Sequence, residues 1–166
     1  DVPVQTGGGV RSLKDIERKL QKGVSRVILG TVAVRQPELV KQAVEKFGSD
    51  KIVVGIDAKE GYVAIAGWEE ISNVSALDLC LKMKEYGVKT IIYTDIAKDG
   101  MMSGINLEAT KELIEKTGMY IIASGGISNM ADLENVQKIN AHGVIIGKAL
   151  YQQTLDLKQV IKKFEG

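Results

Sequence analysis

The sequence predicts an α/β fold built on a parallel β-sheet, and two patterns support this prediction. Six short runs of mostly apolar and β-branched residues are typical of strands that are covered on both faces. Six amphipathic segments, typical of helices, follow these runs one by one. Because each strand is followed by a helix, the chain crosses over between strands, and the strands are therefore expected to be parallel.

The elements follow one another without a linker. The strands are predicted at residues 2–5, 26–29, 51–57, 90–94, 120–124 and 143–146. The helices are predicted at residues 13–21, 37–47, 75–86, 107–117, 130–138 and 155–164. Ser12 and Ser75 are expected to cap helices, and Pro37 suits a first helical turn. Four glycines at or just after the ends of these helices are expected to end them, namely Gly23, Gly48, Gly87 and Gly118.

Composition narrows the classes of function. With 166 residues, 45% of them apolar, the chain is predicted to form one domain over residues 1–166. A net charge of +1 argues against nucleic-acid and membrane partners. No run reaches the roughly 20 apolar residues of a membrane span, and no signal peptide is recognised, so we expect a cytoplasmic protein. Cys80 is expected to lie in the core, and His142, the only histidine, is expected to lie at the end of the sheet away from any active site. No metal and no cofactor are predicted.

An internal repeat sharpens the fold prediction. A glycine pair at Gly8 and Gly9 resembles a second pair at Gly125 and Gly126, and the motif before Gly30 resembles the one before residue 147. From position 8 to position 125, and from position 30 to position 147, the offset is 117 residues in each case. Both copies also carry an aspartate at the same place in the following helix, at residues 15 and 132. Such agreement indicates a duplication rather than chance.

The repeat length favours a barrel. Four strand–helix units span each copy, so two copies would need about 234 residues, near the ~250 residues of a (β/α)8 TIM barrel. The chain is therefore predicted to hold about six of eight units, with two strands left unpaired at their edges. Such edges favour self-association of the chain. A doubly wound open sheet of six strands is the alternative.

Candidate site residues lie directly after the strands, where parallel barrels carry their active sites. Two similar sets of turns are expected to hold phosphate through backbone N–H groups, at Gly8, Gly9, Gly30 and Thr31 and at Ser124, Gly125, Gly126, Gly147 and Lys148. Asp57 and Thr94 end two neighbouring strands. The carboxylate of Asp57 either serves in acid–base chemistry or caps a loop. Trp68 either stacks on a planar ligand or packs over the barrel rim. Arg11 either binds a phosphate or is a solvent-exposed residue of the first helical turn.

Seven motifs together resemble one family. They lie at residues 5–11, 27–31, 55–57, 67–68, 93–100, 123–126 and 147–151. In this order they resemble the phosphoribosylformimino-5-aminoimidazole carboxamide ribotide isomerases of histidine biosynthesis, which are (β/α)-barrels with a half-barrel duplication. The resemblance extends over essentially the whole chain, as units 3 to 8 of the family pattern.

The resemblance implies an Amadori rearrangement, from an aminoaldose to an aminoketose, on a bis-phosphorylated ribonucleotide without metal or cofactor. It implies that Asp57 is the general acid that opens the ribose ring and that Thr94 assists at the next strand. It assigns substrate positioning to Arg11, Trp68 and Asp99, with Trp68 stacking on the imidazole carboxamide. The two sets of glycine turns, with Thr31, would hold the terminal phosphates.

The sequence departs from the family pattern in one respect. The second catalytic aspartate of the family lies at the first strand, and this chain begins at what would be the third. We therefore expect a C-terminal piece with negligible activity on its own.

Two alternative functions stay open. One is the cyclase subunit of imidazole glycerol phosphate synthase, which shares the fold, and the other is a non-catalytic phosphate-binding or assembly fragment. Use of the analogous tryptophan-pathway substrate also stays open.

Overall fold

A computed structural model describes residues 2–166 as a curled, mainly parallel sheet that is covered by helices on its outer face. The strands are β1 (Gln5–Thr6), β2 (Arg26–Leu29), β3 (Ile52–Lys59), β4 (Tyr62–Ile65), β5 (Glu70–Ser75), β6 (Thr90–Asp95), β7 (Tyr120–Ser124) and β8 (Gly143–Val144). The helices are α1 (Leu13–Gln21), α2 (Thr31–Arg35), α3 (Pro37–Phe47), α4 (Ala76–Glu85), α5 (Leu107–Thr117), α6 (Met130–Lys138), α7 (Lys148–Tyr151) and α8 (Leu157–Phe164). The strands pair in the order β1-β2-β3-β6-β7-β8, while β4 and β5 extend β3 in antiparallel fashion. None of the helices in residues 2–166 has the length and apolarity to cross a membrane.

The predicted bounds of α1, α3, α5 and α6 are confirmed to the residue because local signals fix them. Ser12 Oγ accepts a hydrogen bond from the Asp15 N–H at 3.2 Å and so caps α1. Ser75 Oγ accepts one from the Asp78 N–H at 3.0 Å, and α4 begins directly after it, one residue later than predicted. Gly118 ends α5 in the left-handed conformation, with φ of 64°.

The two strands at the sheet edges are shorter than predicted. Pairing of β1 with β2 begins only at Gln5, opposite Arg26, so the predicted strand at 2–5 is wrong in its bounds. Val2 and Val4, which precede it, are exposed. β8 ends at Val144 instead of residue 146. Within residues 2–166, β1 pairs only with β2 and β8 only with β7, so each has one neighbour to hold it. The predicted unpaired edges are thus present in the described chain.

A hairpin and two short helices were not predicted. β3 turns back into β4 through Glu60 and Gly61, whose φ values of 51° and 83° are both positive, as in a type I′ turn. Glu-Gly is not among the usual dipeptides of such turns, and the hairpin therefore left no sequence signal. α2 and α7 have only five and four residues, too few for a helical period. α8 begins after Asp156, which caps it by accepting from the Gln159 N–H at 3.0 Å.

The two faces of the sheet pack differently. Val54 and Ile91 belong to a large cluster that also contains the apolar sides of the helices, on the outer face. Val53, Ile92 and Ile122 form a separate cluster that contains residues of strands only, on the inner face. Successive residues of a strand alternate between the faces, so the strand positions that follow Val53 at intervals of two also face inward.

Cys80 lies on α4 and is fully buried, as predicted. Burial raises the pKa of its thiol to about 12 because the thiolate would lose its hydration. Since the thiolate is the reactive species, we expect iodoacetamide at pH 8 to leave the native protein unmodified and to alkylate the unfolded chain within minutes. Intact-mass spectrometry measures both; rapid alkylation of the native protein would contradict this burial.

Candidate active site

Polar side chains form a row across the carboxyl ends of the three central strands. Asp57 of β3 is the register partner of Thr94 of β6, and Thr94 is the register partner of Ser124 of β7. Register partners on parallel strands project to the same face. Asp57 lies four residues beyond Val53, so this row belongs to the inner face. Thr94, at the centre of the row, is buried.

Trp68 contacts the Asp57 carboxylate directly. Its indole Nε1–H donates a hydrogen bond to Asp57 Oδ2 at 2.7 Å. Trp68 lies between β4 and β5 and has a positive φ of 74°, as do Ala66 and Gly67 before it, with φ of 53° and 67°. A positive φ is unfavourable for residues with a side chain, so this connection is a strained segment that holds the indole at the strand end. The Trp68 side chain is still 43% exposed at the rim.

One cavity at the strand ends, of about 660 Å³, opens between the loops that follow β1, β2 and β4. Its wall contains seven of the predicted site residues, namely Gly8, Gly9, Arg11, Gly30, Thr31, Asp57 and Trp68. Thr31 Oγ1 accepts a hydrogen bond from the Ala66 N–H at 3.2 Å, which ties α2 to the loop after β4. Arg35 also lines this cavity and pairs with Glu70 at 3.1 Å. Sequence reasoning missed Arg35 because α2 itself was not predicted.

The second cavity, of about 260 Å³, lies between the loops that follow β6, β7 and β8. Its wall contains six further predicted residues, namely Asp99, Ser124, Gly125, Gly126, Gly147 and Lys148. Lys148 Nζ donates a hydrogen bond to the Gly100 carbonyl at 3.0 Å and so bridges two of these loops. Asp57 lines one cavity, Ser124 lines the other, and Thr94 is the register partner of both. The row of strand ends therefore joins the two cavities.

The loop after β6 is held by a carboxylate. Asp95 Oδ1 accepts from the Ala97 N–H at 2.9 Å, and Asp95 Oδ2 accepts from Asn106 Nδ2 at 2.7 Å. Asn106 in turn caps α5 by accepting from the Ala109 N–H at 3.1 Å. These bonds fix both ends of the loop that carries Asp99. Asn106 was not singled out in the sequence, although its place before an amphipathic helix is a capping signal.

Gly126 makes the closest backbone contact at the site. Its carbonyl accepts a hydrogen bond from the Gly104 N–H at 2.9 Å. A β-carbon at Gly126, which has φ of 102°, would lie 2.2 Å from the Gly104 carbonyl oxygen. Only glycine fits this position, so the turn after β7 and the loop after β6 close on each other.

His142 lies at the other end of the sheet, as expected. Its N–H donates to the Ile121 carbonyl at 2.8 Å, and its ring stacks on Tyr120 with centroids 4.4 Å apart. Tyr120 begins β7, and Ser124, which belongs to the polar row, ends it.

In residues 2–166 no group of three His, Cys, Asp or Glu side chains is placed to hold a metal ion.

The curled parallel sheet, with its loops gathered at the carboxyl ends of the strands, defines the class as a partial (β/α)8 barrel. Comparison with known proteins gives the family. The chain belongs to the histidine biosynthesis protein family, whose model matches residues 1–156. This result confirms the family resemblance found in the sequence.

Curated relatives give the same assignment. The chain is 58% identical over 164 residues to a protein of Lachnoclostridium phytofermentans, an alignment that covers 99% of this chain and 69% of the relative. It is 52% identical over 161 residues to a protein of Acetivibrio thermocellus, covering 97% of this chain and 68% of that relative. A relative from Thermodesulfovibrio yellowstonii is 47% identical over 98% of this chain and 67% of its own length. Each is named as an isomerase of an imidazole-4-carboxamide that carries two 5-phosphoribosyl groups.

The contact at Gly126 gives a testable prediction. Gly126→Ala should lower the free energy of unfolding by more than about 2 kcal/mol, because its β-carbon collides with backbone and its φ is unfavourable. Gly143→Ala is the matched control: Gly143 lies in β8, its φ is not positive, and the added carbon would make ordinary contacts of 3.6 Å or more with Ile122, so a change within about 0.5 kcal/mol is expected. Urea unfolding followed by circular dichroism measures both. Equal unfolding midpoints would contradict the close approach.

Proposed function

We propose that this chain carries the general acid and the phosphate-binding turns of an isomerase that performs an Amadori rearrangement on a bis-phosphorylated ribonucleotide. One observation carries the proposal: a row of three polar strand ends joins two cavities walled by glycine turns. The names of the relatives, with their two 5-phosphoribosyl groups, support a substrate that has a phosphate at each end.

Each cavity has features that suit a phosphate. Gly9 in the first and Gly126 in the second have positive φ values of 66° and 102°, a conformation that glycine adopts readily and that lets the backbone approach a ligand closely. Successive exposed N–H groups form concave sites for anions. Each wall also holds a cation, Arg11 in the first and Lys148 in the second, which neutralises phosphate charge. The two cavities thus suit the two ends of one substrate.

Asp57 is the proposed general acid. It gives a proton to the ribose ring oxygen as the bond from that oxygen to C1 breaks, which leaves C1 doubly bonded to nitrogen. Loss of a proton from C2 then gives an enol, which becomes the C2 ketone as C1 gains a proton and the enol hydroxyl loses one. Two features support this role: Asp57 lies on the inner face at the cavity wall, and the 2.7 Å hydrogen bond from Trp68 fixes the direction of its carboxylate. Thr94, its register partner, is proposed to assist by hydrogen bonding.

Three residues are proposed to position the substrate. Arg11 and Trp68 line the first cavity and Asp99 the second. The exposed part of the Trp68 indole at the rim is a flat apolar surface that suits the imidazole carboxamide ring. With a phosphate held in each cavity, the planar part of the substrate lies near Trp68 and the reacting ribose near Asp57.

The rearrangement also needs a base on the other side of the sugar from Asp57. By resemblance, that base is an aspartate of a strand outside the family units found in residues 1–166. We therefore propose that the 166 residues alone bind substrate and turn it over negligibly. The relatives named as isomerases favour this chemistry over that of the cyclase.

The acid role is tested in a chimera in which the L. phytofermentans relative supplies the part that lies outside its alignment with this chain. Asp57→Asn should lower kcat at least ~100-fold, the usual contribution of a general acid, with little change in substrate affinity. Asp50→Asn is the control and should retain activity, because Asp50 is exposed just before the opposite end of β3 and pairs with Lys89 at 3.5 Å. Product formation is followed by chromatography.

Two results would contradict the proposal. Retained kcat in the Asp57→Asn chimera would remove the acid assignment. Turnover by the 166-residue chain close to that of the chimera would show that residues 1–166 already contain the base.

A further inference from the structure

An aspartate in the first turn of α1 is bonded back to the loop that precedes it. Asp15 Oδ2 accepts hydrogen bonds from the Arg11 N–H at 3.0 Å and from Ser12 Oγ at 2.9 Å. These bonds lower the pKa of the Asp15 carboxyl, the one from the Arg11 N–H most. Because the pKa is lowered, the carboxylate is charged and the contact intact at neutral pH. Arg11 follows Gly9 by two residues, so Asp15 closes the end of the first glycine turn.

The same arrangement recurs 117 residues later. Asp132 Oδ2 accepts from the Ser128 N–H at 2.8 Å, from Ser128 Oγ at 2.7 Å and from the Asn129 N–H at 3.3 Å. Asn129 Oδ1 accepts from the Asp132 N–H at 3.0 Å, which completes a capping box at the start of α6. Ser128 follows Gly126 by two residues, as Arg11 follows Gly9. In both copies the aspartate therefore bonds the N–H found two residues after the second glycine.

Another helix of the chain shows that this contact is not a general consequence of capping. Asp78 occupies the same third position in α4, after the capping residue Ser75. Within residues 2–166 the Asp78 carboxylate accepts no hydrogen bond, and no glycine pair precedes Ser75. The contact back to the loop thus accompanies the two glycine turns.

The contact has a consequence for anion binding. A glycine pair has wide conformational freedom, and N–H groups aimed at one point must be fixed before a ligand arrives if they are to bind it well. Asp15 and Asp132 fix the exit of each turn. They also occupy the N–H groups of Arg11 and Ser128, which leaves the glycine N–H groups as the donors that remain for an anion.

We propose that Asp15 and Asp132 are positioning residues, each of which holds one glycine turn in the conformation that binds one phosphate of the substrate. This role rests on the proposed function, since it requires the turns to bind phosphate. It gives the two aspartates independent and matching roles, one for each cavity.

The test is an NMR titration of the 15N-labelled chain with inorganic phosphate, which reports each turn separately through the amides of Gly8 and Gly9 and of Gly125 and Gly126. Asp15→Ala should weaken phosphate binding at the first turn about fivefold or more and leave the second unchanged. Asp132→Ala should do the reverse. Asp78→Ala, the matched control, should change neither turn. Asp15→Asn and Asp132→Asn each keep an acceptor oxygen and should restore most of the affinity.

The outcomes separate this role from the proposed function. If the unsubstituted chain shows no phosphate-dependent shift at either turn, the phosphate-binding role is overturned and the positioning role with it. If it responds and both alanine variants bind as tightly, only the positioning role is overturned. A purely structural role would lower the melting temperature without a turn-specific change in affinity. Should an alanine variant fail to fold, Asp→Ser replaces it, since serine suits a first helical turn and its shorter side chain cannot make the same contact.

Discussion

The hydrogen-bonded register of β3, β6 and β7 is the constraint on which the site depends. It sets Asp57, Thr94 and Ser124 opposite one another at the strand ends and on the inner face. A shift by one residue in any of these strands would turn its polar end to the outer, helix-covered face. The buried clusters on both faces oppose such a shift, because Val53, Ile92 and Ile122 would have to exchange places with residues that pack on the helices. Packing of the apolar core therefore fixes the positions of the polar row.

The internal duplication explains why the site has two halves. Turns related by 117 residues line one cavity each, and each turn is closed by an aspartate of the next helix. A substrate with a phosphate at each end needs such a pair of sites around one reacting centre. The halves are not identical, since only the first cavity has the strained connection that carries Trp68. This difference puts the proposed general acid and its indole donor beside one of the two proposed phosphate sites.

The sequence predicted what local signals determine. The Ser12 cap marks the start of α1, Gly118 marks the end of α5, and the apolar runs mark the central strands. It did not predict the hairpin of β3 and β4, whose Glu60-Gly61 turn lacks the usual residues. The bond from Trp68 to Asp57 depends on that hairpin, which folds Trp68 back over the end of β3, and so could not be foreseen either. The aspartates at 15 and 132 were visible as equivalent positions, but only the coordinates show their bonds to the loops.

We propose that the two cavities hold the two phosphates of one ligand. An NMR titration with the bis-phosphorylated substrate that the relatives' names describe measures this directly. We expect the amides of Gly9 and Gly126 to shift together, with one dissociation constant and saturation at one ligand per chain. A response confined to one turn, or saturation only at two ligands per chain, would contradict it.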